Sequence, residues 1–134
     1  MNNILTPKNF QKIGMSIFLV FMLVFSFFFG ILDAFANQSP SVTTHSANSI
    51  TFNSARLNGF FDPHSSHTSA WFEWGTSAAG LENSTTKTTG TSARQFNRTI
   101  TGLSANTTYF FRAVAQNTHG TEEGQIRSFR TLAP

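Results

Sequence analysis

Beyond residue 37 the apolar side chains of this chain recur at every second position, and no segment carries them in a stripe of period 3.6. Ala55, Leu57, Gly59 and Phe61 alternate with other residues, as do Ala70, Phe72 and Trp74; Tyr109, Phe111, Ala113 and Ala115 make the longest set. A period of two marks a half-buried strand, because successive side chains leave opposite faces of a sheet. Turn-forming clusters separate the sets: Asp62-Pro63, Gly75-Thr76-Ser77, Thr88-Thr89-Gly90, Thr101-Gly102, Asn117-Thr118-His119-Gly120 and Glu123-Gly124. The pattern predicts an all-β, seven-stranded antiparallel sandwich with helices absent or one turn long.

The first 36 residues have a different character. Residues 1–12 are polar with Lys8 and Lys12, and residues 13–32 read IGMSIFLVFMLVFSFFFGIL without a charge until Asp33. Eight of the sixteen Phe lie at or before Phe35. Ala34-Phe35-Ala36 places small residues at the two positions a signal peptidase reads, so cleavage after Ala36 would release a chain beginning at Asn37. The run exceeds the roughly 7–15 residues of a secretory core and approaches the roughly 20 that span a bilayer. A cleaved signal peptide and an uncleaved anchor both fit, whereas a buried core helix would carry a polar face that this run lacks. In either case the lysines stay inside and the remainder is exported by the general secretory route, to be secreted, surface-bound or anchored by a single span. The expected division is a leader helix over 1–36 and a domain over 37–134, with its core in 40–131.

Composition removes several classes of function. The 134 residues contain no cysteine, which excludes disulfides, thiolate catalysis, Cys-based zinc sites and lipid attachment at an N-terminal cysteine. The net charge of +3 includes two leader lysines. The remaining basic residues, Arg56, Lys87, Arg94, Arg98, Arg112, Arg127 and Arg130, are scattered without a run. No basic stripe exists to release counterions from a phosphate backbone, so nucleic acid is not an expected partner. There is no nucleophile elbow, Gly-rich phosphate loop, His-Glu-x-x-His motif or Arg-Gly-Asp, and neither catalysis nor a cofactor is expected.

Leu103-Ser104-Ala105-Asn106-Thr107-Thr108-Tyr109 resembles the E–F corner of fibronectin type III domains, with Ala105 where that family often has Pro. Ser54-Ala55-Arg56-Leu57-Asn58-Gly59 resembles its strand B, Phe72-Glu73-Trp74-Gly75-Thr76 strand C, Tyr109-Phe110-Phe111-Arg112-Ala113-Val114-Ala115 strand F, and Ser128-Phe129-Arg130-Thr131 the last strand. The likeness is to the form of the domain found in bacterial and archaeal secreted and surface proteins. It implies a cysteine-free sandwich in which the Tyr109 phenol bonds back to backbone after Leu103. The expected core is Leu57, Phe61, Phe72, Trp74, Ile100, Leu103, Tyr109, Phe111, Ile126 and Phe129, each burial worth about 1.5–3 kcal/mol. Arg98 falls in phase with Phe96 and Ile100, so either it snorkels at a sheet edge or that strand is displaced by one residue. Pro40 and Pro134 resemble the entry and exit of one repeat, which fits a tandem array as well as a free-standing domain.

Two surfaces are candidate sites. The B–C and F–G loops leave one end of such a sandwich and would gather Asp62, His64 and His67 beside His119, Glu122 and Glu123, ligand types suited to a divalent metal, although polar loops of this kind usually face only water. The second candidate is the outer face of strands C and F, where Trp71, Phe110, Arg112 and Val114 are expected to share a surface able to stack on sugars or seat a neighbouring module. The alternative there is that the stems of Arg112 and Glu73 simply cover the rings. Four Asn-x-Ser/Thr triplets, at Asn37, Asn83, Asn97 and Asn106, matter only in a glycosylating host. The expected function is that of a non-catalytic spacer or adhesive module at the cell surface, contacting protein, cell-wall polysaccharide or neighbouring repeats. The alternatives are an accessory module of a secreted polysaccharide-degrading enzyme and a membrane-tethered ectodomain.

Overall fold

The computed structural model describes residues 38–134, all within the compact unit Ala36–Pro134. The expected leader, 1–36, lies outside the described residues. Nine strand segments follow in order: β1 (Ser41–Asn48), β2 (Ser54–Asp62), β3 (Thr68–Gly75), β4 (Asn83–Ser84), β5 (Thr88–Gly90), β6 (Arg94–Thr101), β7 (Thr108–Asn117), β8 (Gly120–Glu123) and β9 (Arg127–Arg130). One sheet has the order β1-β2-β6 and the other centres on β3 and β7, every pairing antiparallel. Segments β8 and β9 pair successive stretches of β7, while β4 and β5 pair opposite ends of β3. The nine segments therefore occupy seven strand positions, and the fold is an antiparallel two-sheet sandwich resembling fibronectin type III.

Alternation dictates the core. Ala55, Leu57 and Phe61 of β2 and Phe96 and Ile100 of β6 face Ala70 and Phe72 of β3, Tyr109, Phe111, Ala113 and Ala115 of β7, and Phe129 of β9. Seven rings form an unbroken series of contacts: Phe61 to Phe96 at 5.6 Å, then Phe72 at 4.5 Å, Phe111 at 6.4 Å, Phe129 at 5.9 Å, Tyr109 at 5.7 Å and Trp74 at 5.8 Å. Aromatic pairs at these separations contribute about 0.5–1.5 kcal/mol each beyond area burial. Gly59 allows the sheets to close over this series: a Cβ there would stand 2.9 Å from Phe96 Cε1 and 3.2 Å from Ala113 Cβ.

One expected core residue sits elsewhere, and another packs at the rim of the core. Ile126 is 42% exposed, because it lies between β8 and β9 where the chain leaves the ladder, and Trp74 is only partly buried at the end of the ring series. Phe96, outside the expected core, fills its centre. Arg98 keeps the register that alternation assigns, pairing with Leu57. Its guanidinium leaves the core at the sheet edge, donating to Thr86 Oγ1 at 3.0 Å and Thr88 Oγ1 at 2.7 Å, and so ties one sheet to the segment flanking the other.

Candidate functional site

At the loop end, His64 and Ser65 both adopt left-handed backbone, with φ of 48° and 67°. The turn is held by the Asp62 carboxylate, which accepts the His64 N–H at 2.9 Å. His64 Nδ1 stands 2.8 Å from the Ser39 carbonyl, and the Ser39 hydroxyl donates to Glu122 at 2.9 Å. These contacts floor a shallow groove of about 620 Å³ lined by residues 38–42, His64, Glu122 and Glu123. Neither His67 nor His119 lines it, and the His119 N–H is taken up by the Asn117 side chain at 2.8 Å. Among the described residues, no three His, Asp or Glu side chains converge as a metal site would require. The imidazole the groove does contain is bonded to backbone.

The outer face of β3 and β7 is built from cross-strand rows: Trp71 beside Val114, Glu73 beside Arg112, and Gly75 beside Phe110. Arg112 donates through Nε at 3.0 Å and its terminal nitrogen at 2.8 Å to Glu73 Oε2, and it also bonds the Glu123 carboxylate. Trp71 Nε1 donates to Glu73 Oε1 at 3.4 Å, and the Lys87 ammonium lies 4.4 Å above the Trp71 ring. Trp71 and Arg112 are thus half-buried members of an internally bonded surface, and Phe110 is half-buried opposite Gly75. Val114 does not belong to the exposed strip expected of it. It is 1% accessible, closed in between Trp71 on β3 and Glu123 on β8, and it stands outside the inter-sheet core cluster. Alternation assigns Val114 to the outer face but is silent about the side chains that roof it.

Lys87 and Glu123 are the members of this face that sequence reasoning missed. Glu123 carried a usable signal, since it alternates with Thr121 on the strand after the F–G turn. Lys87 sits in a segment between β4 and β5 with no periodicity to read. The E–F corner has its predicted ingredients in contact: Leu103 and Tyr109 are buried, and the Tyr109 hydroxyl accepts the Ser104 N–H at 2.9 Å.

No protein-family model and no curated protein matches the chain. Solved structures of similar fold include the sensor domain of the anti-sigma factor RsgI4 of Pseudobacteroides cellulosolvens. Its short form superposes with a TM-score of 0.59 at 19% identity, covering 72% of this chain and 98% of that one. A solution structure of the same sensor domain gives 0.57 at 19% identity, over 69% of this chain and 75% of that one. A fibronectin type III domain of the human KIAA0970 protein gives 0.48 at 13% identity, over 69% and 73%. Together with the strand order, the first two place the fold among antiparallel β-sandwich modules.

Proposed function

We propose that this chain is an exported module acting by contact rather than by chemistry, a spacer or adhesive domain at the cell surface. The observation that carries this reading is the placement of the two ends of the described chain. Gln38 accepts from the Asn117 side chain and Ser39 contacts His64, both at the B–C and F–G end. Thr131 and Leu132 are bonded to Thr107, Asn106 and Thr51 at the E–F end. A chain that enters one end of a rigid sandwich and leaves at the other suits a body that holds things apart. The uncharged run over 13–32 supports export. A second reading, a membrane-tethered ectodomain with a sensing role, is favoured by the likeness to the RsgI4 sensor domain and by a hydrophobic run of spanning length.

Expression of the full chain in a secreting bacterium, followed by fractionation and N-terminal sequencing, tests both. A product beginning at Asn37 outside the membrane supports the secreted module, and an intact N-terminus in the membrane fraction supports the tether. Protein retained in the cytoplasm with its leader intact would overturn export altogether.

A further inference from the structure

We infer that the outer face of the β1-β2-β6 sheet binds an uncharged glycan, with Phe60 as its stacking platform. The inference rests on the reading of the domain as an exported contact module and names its surface and ligand class. Phe61 is buried in the core, so Phe60 faces the other way, half-buried on the outer face. Two rows cross the sheet around it: Thr43, Phe60 and Gln95, then His45, Asn58 and Asn97. With strands about 4.8 Å apart and same-face residues about 7 Å apart, the rows make a patch of roughly 10 by 7 Å. One aromatic ring is surrounded there by amides, a hydroxyl and an imidazole.

What separates this face from that of β3 and β7 is how its polar groups are used. Trp71, Glu73, Lys87, Arg112 and Glu123 satisfy one another. On the β1-β2-β6 face, no hydrogen bond among the described residues takes up the side chains of Thr43, His45, Gln95 or Asn97. Asn58 alone is anchored, donating to the Ser46 carbonyl at 2.9 Å, which fixes its amide at the patch centre. Free donors and acceptors beside a ring match a pyranose, whose hydroxyls bond at the rim while its C–H face lies on the negative face of the π-system.

Charge selects among ligands. The carboxylate and guanidinium on this face flank the two rows, Asp62 opposite Ser41 on one side and Arg56 between Asn48 and Thr99 on the other, with the His45 imidazole between them. No Lys or Arg stands in the rows between them to neutralise a polyanion. One ring among amides also offers too little apolar area for the core of a protein interface, which concentrates aromatic residues, Met and Arg.

The test is titration of the ¹⁵N-labelled 36–134 unit with xylan, mixed-linkage glucan, and cello- and chito-oligosaccharides, with heparin as the charged comparison. At least one neutral glycan is expected to move the amide signals of Thr43, Phe60, Gln95 and Asn97. Phe60→Ala is expected to weaken that binding about tenfold or more, as loss of a central aromatic anchor does. The exposed pair Gln95→Ala and Asn97→Ala, which leaves the core untouched, should weaken it as well, and Trp71→Ala should not. No shift with any neutral glycan, shifts centred on Trp71 and Phe110, or tighter binding of heparin would each overturn the inference. An exported protein that fails here loses only this surface assignment, whereas a protein that never leaves the cytoplasm fails the export reading whatever it binds.

Discussion

Tyr109 shows how one polar atom can hold a corner that apolar packing leaves loose. Its ring is buried in stacked contact with Phe129, and its hydroxyl accepts the Ser104 N–H at 2.9 Å. Tyr109→Phe keeps the ring and removes the acceptor, leaving a part-buried backbone donor unpaired; the expected cost is about 1–3 kcal/mol, read as a lower guanidinium midpoint at unchanged slope. An unshifted midpoint would mean that water replaces the phenol. The Arg112 pairs with Glu73 and Glu123 should matter less, because each partner keeps contact with solvent. Glu73→Gln is expected to cost no more than about 1 kcal/mol, with the difference from wild type shrinking at high salt. Tyr109 was legible because the Leu-to-Tyr spacing and the geometry of the corner are local. The burial of Val114 was not, because it depends on Trp71 and Glu123, which reach it only through two strand pairings.

At the scale of elements, the last strand is the instructive one. Its ladder to β7 breaks between β8 and β9, and at that break Gly124 N–H bonds the Ala113 carbonyl at 2.8 Å. The Ala113 N–H beside it is accepted by no strand partner there; the buried Thr44 hydroxyl of β1 takes it at 2.9 Å. A side chain from one sheet thus completes the backbone bonding of the other, and a Cβ at Gly124 would fall 2.4 Å from that same oxygen. Thr44→Val removes the acceptor at nearly constant volume and should cost about 1–3 kcal/mol. Gly124→Ala should cost a similar amount by overpacking, and in a Thr44→Ala background that penalty should shrink, since the obstructing oxygen is gone. Additive losses in this double-mutant cycle would show that the two positions act independently. Alternation located β7 in the sequence. It did not show the break, which is why Ile126 was assigned to the core that it never reaches.

At the scale of the whole molecule, the difficulty for a sandwich of this size without a disulfide is to make two sheets one cooperative body. Phe96 carries much of that task. It is the ring from β6 that touches both Phe61 of its own sheet, edge-on at 5.6 Å, and Phe72 of the other, stacked at 4.5 Å. Its part in the ring series was not evident from composition, because half of the phenylalanines lie at or before Phe35 and Phe96 stands in a strand whose one other apolar residue is Ile100. Phe96→Ala is expected to cost about 3–5 kcal/mol, as large-to-small changes of buried aromatics do. Against the roughly 5–15 kcal/mol available to a domain of this class, the variant should be marginal at growth temperature. Wild type should unfold in one transition seen alike by far-ultraviolet circular dichroism and tryptophan fluorescence, and the variant at a much lower denaturant midpoint. A loss below about 1 kcal/mol, the scale of a surface change, would show that the sheets are held together mainly by the Arg98 and Thr44 bonds at their edges.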